Sequence, residues 1–82
     1  MTTDELINKL NEIEGIAACL LKEIFIEVRL GSTDGAPLAI VLVYETFTLD
    51  TWKMNWEDLP EEIKKEAFKL MVRYVSTPLE ER

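Results

Sequence analysis

The side chains of this sequence that could do chemistry are few and scattered. They are one cysteine, Cys19, the serines Ser32 and Ser76, and the acids Glu57, Asp58, Glu61 and Glu62; there is no histidine. Without histidine the chain lacks the commonest general base and the commonest transition-metal ligand, and one thiol cannot build a thiolate cluster. Cys19 stands in the apolar run Ala17–Leu21, where a small buried residue is the simplest reading and no activating base is adjacent in the sequence. Ser32 belongs to a turn and Ser76 to a helix end, both ordinary hydrogen-bonding positions, so a Ser-Lys pair is the one nucleophilic arrangement the composition still permits. The four acids could face a hard cation, but they follow no EF-hand spacing, and carboxylates at a helix start need no ligand to account for them. Gly15, Gly31 and Gly35 match neither a phosphate-binding loop nor a dinucleotide fingerprint. These residues predict a non-catalytic protein with no metal and no cofactor.

Charge narrows the partners. Sixteen acidic against nine basic residues give a net charge of −7, which repels a phosphate backbone, so no direct nucleic-acid contact is expected. The same carboxylates offer an alternative, a nucleic-acid mimic that occupies a DNA- or RNA-binding protein. No apolar run reaches the ~18 residues of a membrane span, and Met1-Thr2-Thr3-Asp4-Glu5 is acidic where a targeting signal would be basic. A lone cysteine fits a reducing compartment, which gives a cytoplasmic expectation with no membrane contact. Eighty-two residues that are 48% hydrophobic predict one domain, 1–82, with a single core near the lower limit of independent stability.

The elements follow from period and punctuation. Thr2 and Glu5 have capping-box spacing, and Leu6, Ile7, Leu10 and Ile13 follow on one helical face. Two readings of the next segment compete: the apolar spacing runs through Gly15 to about Leu21 as one long helix, or the helix stops and a strand covers 16–21. The Glu14-Gly15 junction favours the second. From Ile24 the period becomes two, with Ile24, Ile26, Val28 and Leu30 on one face and Phe25, Glu27 and Arg29 on the other. A turn at Gly31–Gly35 then makes a hairpin with Pro37–Tyr44, and a tight Asp34-Gly35 turn predicts positive φ at Gly35. Leu38, Ile40, Leu42 and Tyr44 share a face while Ala39, Val41 and Val43 are also apolar, which predicts a central strand covered on both sides. Near Glu45-Thr46 the phase flips to Phe47 and Leu49, the mark of a bulge or turn before a strand at about 46–51. Trp52–Asp58 has no clean period and reads as a connection.

The last quarter writes out one helix with both ends. Pro60 fits a first turn, Glu61 and Glu62 complement the positive end of the helix dipole, and Pro78 stops the run near Ser76. Leu59-Pro60-Glu61-Glu62, the aromatic Tyr74 and the ending Ser76-Thr77-Pro78-Leu79-Glu80-Glu81-Arg82 resemble the C-terminal third of small uncharacterised proteins of phages and prophages of low-GC Gram-positive bacteria. That resemblance implies a context, the cytoplasm of an infected or lysogenic bacterium, and no activity; the expected function is a non-catalytic interaction module, a phage accessory factor acting on a host or phage protein. The predicted architecture is α+β, with an N-terminal helix, three or four antiparallel strands and a C-terminal helix, both helices on one face of the sheet.

Two groups of residues are candidates for contact with a protein. Trp52 and Trp56, four apart on an acidic segment, have the size and amphipathic character of interface anchors. On the last helix, Leu59, Ile63, Ala67, Leu70, Met71 and Tyr74 suffice for a core stripe, and Phe68, Val72 and Val75 widen the apolar surface beyond it. An apolar flank on so small a domain predicts a protein partner or a symmetric homodimer, the latter being also the purely structural alternative.

Overall fold

Thr2 opens the first helix, α1 (Thr3–Asn11), with a reciprocal pair of bonds: the Glu5 amide donates to Thr2 Oγ1 at 3.2 Å and the Thr2 amide to Glu5 Oε1 at 3.1 Å. The computed structural model describes residues 1–82 and orders the elements as α1, β1 (Ile16–Leu21), β2 (Phe25–Leu30), β3 (Pro37–Leu42), β4 (Leu49–Thr51), α2 (Lys53–Glu57) and α3 (Glu61–Val75), with a 3₁₀ turn at Leu79–Glu81. The fold is α+β, and the four strands form one antiparallel meander in the order β1-β2-β3-β4. The shorter reading of the first helix holds, because Gly15 takes φ +87° and turns the chain into β1. Side chains of Leu6 and Leu10 in α1, Ile26 and Val28 in β2, Val41 in β3, and Ala67, Met71 and Tyr74 in α3 are fully enclosed in one core that joins the helices to one face of the sheet.

β1 is an edge strand, and a side chain covers its middle. The Asn11 amide accepts from the Ala18 N–H at 2.8 Å and donates to its carbonyl at 3.0 Å, which occupies both backbone groups that this residue would otherwise offer to an added strand.

Three expectations are corrected in the hairpins. The first concerns β3, where Leu38, Ala39 and Val41 are fully buried while Ile40 and Leu42 point to the half-exposed outer face. A bulge is the cause. Val28 pairs with Ala39 and Arg29 with Pro37, so Leu38 has no partner in β2 and both it and Ala39 reach the core. The strand is therefore central without being covered on both sides. The second concerns Gly35, which does not have positive φ; Gly31 does, at +77°, within a longer 31–36 loop closed by Leu30 N–H to Ala36 O. The third concerns Phe47, which the phase placed in a strand. It lies in the turn before β4, with φ 54° and three-quarters of its surface exposed.

The β1–β2 turn carries strain of its own. Lys22 and Glu23 have φ values of 54° and 58°, consecutive left-handed residues that are neither Gly nor Asn, closed by the Ile24 N–H to Leu21 O at 3.1 Å. A left-handed L-residue costs roughly 1–2 kcal/mol. The double substitution Lys22→Asn, Glu23→Gly is expected to stabilise the protein by about 1 kcal/mol, read as a higher denaturant midpoint at unchanged slope.

The connection before the last helix is also more regular than its sequence indicates. Lys53–Glu57 forms the one-turn helix α2, held to β3 by the Trp52 N–H to Leu38 O and by Asn55 Nδ2 to Pro37 O, both 2.9 Å. Pro60 caps α3 from just outside it, at φ −55°.

Candidate interaction surface

The five residues singled out in the sequence do not stay together. Val75 is only 4% exposed and Trp56 only 9%, whereas Trp52, Phe68 and Val72 are each 40–44% exposed. Val75 belongs to the core: it lies on the side of α3 roofed by the β3–β4 turn, whose Phe47 N–H donates to the Val75 carbonyl at 2.8 Å. The apolar flank of α3 is therefore Phe68 and Val72, one helical turn apart.

Trp56 and Phe68 meet across the α2–α3 junction. Their rings lie edge to face, centroids 6.3 Å apart at 60°, an arrangement that aligns the positive ring edge with the negative face. Together they floor an open groove of about 430 Å³ whose walls are Glu61, Glu62, Lys64 and Lys65. Lys64 Nζ is held by Glu61 Oε1 at 3.1 Å and approaches the Glu57 carbonyl at 3.4 Å, which fixes one wall. The almost free Met54 stands on the adjoining α2, and Trp52 immediately precedes that helix. Met54 escaped the sequence reading because five residues are too few to show a helical period.

A second exposed apolar group lies at the far end of the sheet, where the β1–β2 and β3–β4 turns meet. Leu20, Tyr44 and Leu79 border a cleft there with Thr3, Asp4, Glu23, Val43 and Arg82, and Phe47 projects beside it. Its one cation is already engaged: the Arg82 guanidinium stacks 4.5 Å from the centre of the Tyr74 ring and donates to the carbonyls of Leu42, Val43, Glu45, Val75 and Thr77 at 2.8–3.1 Å.

The groups that could react are dispersed. Cys19 is half-buried on the outer face of the sheet, paired across to Glu27, whose carboxylate is taken by Arg29. No three His, Cys, Asp or Glu side chains are arranged to hold a metal ion. No helix is long and apolar enough to cross a membrane.

Two carboxylates are held below their ordinary value of 4.5, Glu5 by the Thr2 backbone N–H and Glu27 by the hydrogen bond from Arg29. A depressed folded pKa means these carboxylates stabilise the fold above about pH 4.5, and the contribution is lost as pH falls through the folded values. The thermal midpoint is expected to drop on acidification below pH 4.5, and Glu27→Gln should flatten that drop while lowering the midpoint at neutral pH.

Comparison of the chain with protein-family models, with curated proteins and with solved structures finds no match.

Proposed function

We propose that this chain is a non-catalytic protein-interaction module that binds through the α2–α3 groove. The observation that carries the reading is the Trp56–Phe68 pair: two aromatics, one anchored in the core and one half-exposed, at the centre of an open groove with a charged rim. Hot spots have this composition and setting, an aromatic anchor within a polar surround. In the context implied by the C-terminal resemblance, the module acts in the bacterial cytoplasm on a host or phage protein. Nucleic-acid mimicry is less well supported, because Lys65, Lys69 and Arg73 interrupt the acids on the exposed side of α3, where a mimic needs an ordered stripe of one sign.

The test is comparative capture from bacterial extract with wild type and Phe68→Glu on the same support. A protein retained in stoichiometric amount by wild type and lost with the folded variant supports the reading. Equal retention by both places the binding site elsewhere.

A further inference from the structure

The end of the sheet away from the α2–α3 groove gathers features that the fold does not require. The three residues other than glycine with positive φ, Lys22, Glu23 and Phe47, all lie in the β1–β2 and β3–β4 turns that meet there. Strain of this kind persists where the surrounding structure over-determines it, and ligand clamps are one such setting. Tyr44 is 66% exposed and Phe47 75%, the most exposed aromatic side chains of the molecule, and Tyr44 borders an open cleft of about 410 Å³ with Leu20 and Leu79. Charge says what the cleft would take. Asp4 and Glu23 line it, while Glu45, Glu80 and Glu81 directly follow Tyr44 and Leu79 in the chain. None of these five carboxylates makes a salt bridge, the ion pairs of the chain being Arg29–Glu27 and Lys64–Glu61. Arg82 is committed to the Tyr74 ring and to carbonyls, and the terminal ammonium of Met1 donates to Thr77 Oγ1, which leaves Lys22 as the one free basic side chain in either turn.

We propose that this cleft binds a basic segment of a second protein, distinct from the partner of the α2–α3 groove, with a lysine or arginine side chain laid along Tyr44, its stem against Leu20 and Leu79 and its head toward Asp4 and Glu23. Such a side chain supplies both things the cleft presents surfaces for, an apolar stem for the aliphatic wall and a cation for the carboxylates and the aromatic face. Complementary charge selects it over a second copy of this acidic chain, which the same carboxylates would repel. The backbone favours a peptide over a free amine. Ile24 and Leu30 of the β2 segment bond toward β3, through Val43 N–H to Ile24 O at 3.0 Å and Leu30 N–H to Ala36 O at 2.9 Å, so the even-numbered residues of β1 face away from β2. Of these, Ile16 gives its N–H to Ile13 O and Ala18 is taken by Asn11, whereas Leu20 keeps both its N–H and its C=O free at the border of the cleft. A passing main chain can use the pair; an ammonium ion, which only donates, cannot.

The test titrates a short end-blocked peptide of alternating lysine and valine into the isotope-labelled protein, with a glutamate-valine peptide and spermine as comparisons, and follows the amide shifts. Saturable shifts at Leu20, Glu23, Tyr44 and Leu79 with the basic peptide, and none with the acidic one, support the proposal. Two variants weigh the contacts. Tyr44→Ala should weaken the basic peptide about tenfold, as loss of an aromatic anchor does. Glu23→Gly should weaken it roughly two- to fivefold, the worth of one exposed ion pair, and because glycine relieves the φ of 58° at this position, that loss cannot come from unfolding. The absence of saturable shifts, shifts spread over the acids of α3 instead of the cleft, full affinity in Tyr44→Ala, or spermine binding there as tightly as the peptide would each overturn the proposal. Neither variant touches the α2–α3 groove, so the capture comparison of wild type and Phe68→Glu decides the role of that groove separately.

Discussion

Alanine at position 35 is expected to destabilise the protein by about 3 kcal/mol, although Gly35 has an ordinary φ. A Cβ built there would stand 1.7 Å from the Leu30 carbonyl oxygen and 2.8 Å from its carbon. Both atoms are backbone, and the Leu30 N–H is itself bonded to Ala36 O across the loop, so neither side can yield without opening the hairpin. Arg29 tightens the same site by donating from Nη1 to the Gly35 carbonyl at 2.7 Å. Gly31 is the control. It has φ +77° and nothing within 4 Å of its Cβ position, so Gly31→Ala should cost only roughly 1–2 kcal/mol of backbone strain. Urea denaturation of the two variants separates collision from conformational strain: the account requires Gly35→Ala to lose more, and the reverse order would show that the loop relaxes around Gly35.

Arg82→Ala is expected to cost about 2–4 kcal/mol, a large share of what a domain of this size commands. The guanidinium binds carbonyls from the end of α3, from the segment after it and from the β3–β4 turn, and it covers the face of Tyr74, whose hydroxyl lies 2.8 Å from Thr3 Oγ1. Its removal leaves several carbonyls without donors and releases the turn that presents Tyr44 and Phe47. Lysine cannot substitute, since one ammonium does not span five acceptors in the geometry of a planar fork. Thermal unfolding should show Arg82→Lys closer to Arg82→Ala than to wild type. Full stability in Arg82→Lys would mean that charge, and not the fork, is what the turn requires.

How much of this was legible in the sequence differs from element to element. The capping box at Thr2 and Glu5, the alternation in β2 and the core stripe of α3 are local patterns, and each leads to the observed element. The β1–β2 turn was harder to read because Lys22 and Glu23 adopt positive φ without being Gly or Asn. Neither was the bulge at Leu38 marked, since Leu and Ala are both apolar and either face could have taken either residue. The binding groove depends on α2, too short to carry a period, and Trp56 reaches Phe68 only once α2 and α3 fold together. Val75 and Phe68 sit on the same border of the helical stripe two turns apart, and only the β3–β4 turn packing against its C-terminal end decides that Val75 is core. The role of Arg82 was invisible for a plainer reason: its partners Leu42 and Val43 lie about forty positions away in the chain.

The central claim is that this molecule binds its protein partner through the α2–α3 face, and amide and indole NMR shifts followed as the protein captured from bacterial extract is added test it most directly. Trp52 and Trp56 provide two side-chain N–H reporters on or beside the groove, while Tyr44, Phe47 and Leu79 report on the opposing apolar end and Cys19, Phe25 and Ile40 on the outer face of the sheet. The account predicts partner-dependent shifts at the Trp56 indole and along Glu61–Phe68, with the other two regions unchanged. Shifts centred on Tyr44 and Phe47 or on the outer sheet face, with Trp56 and Phe68 still, would contradict it.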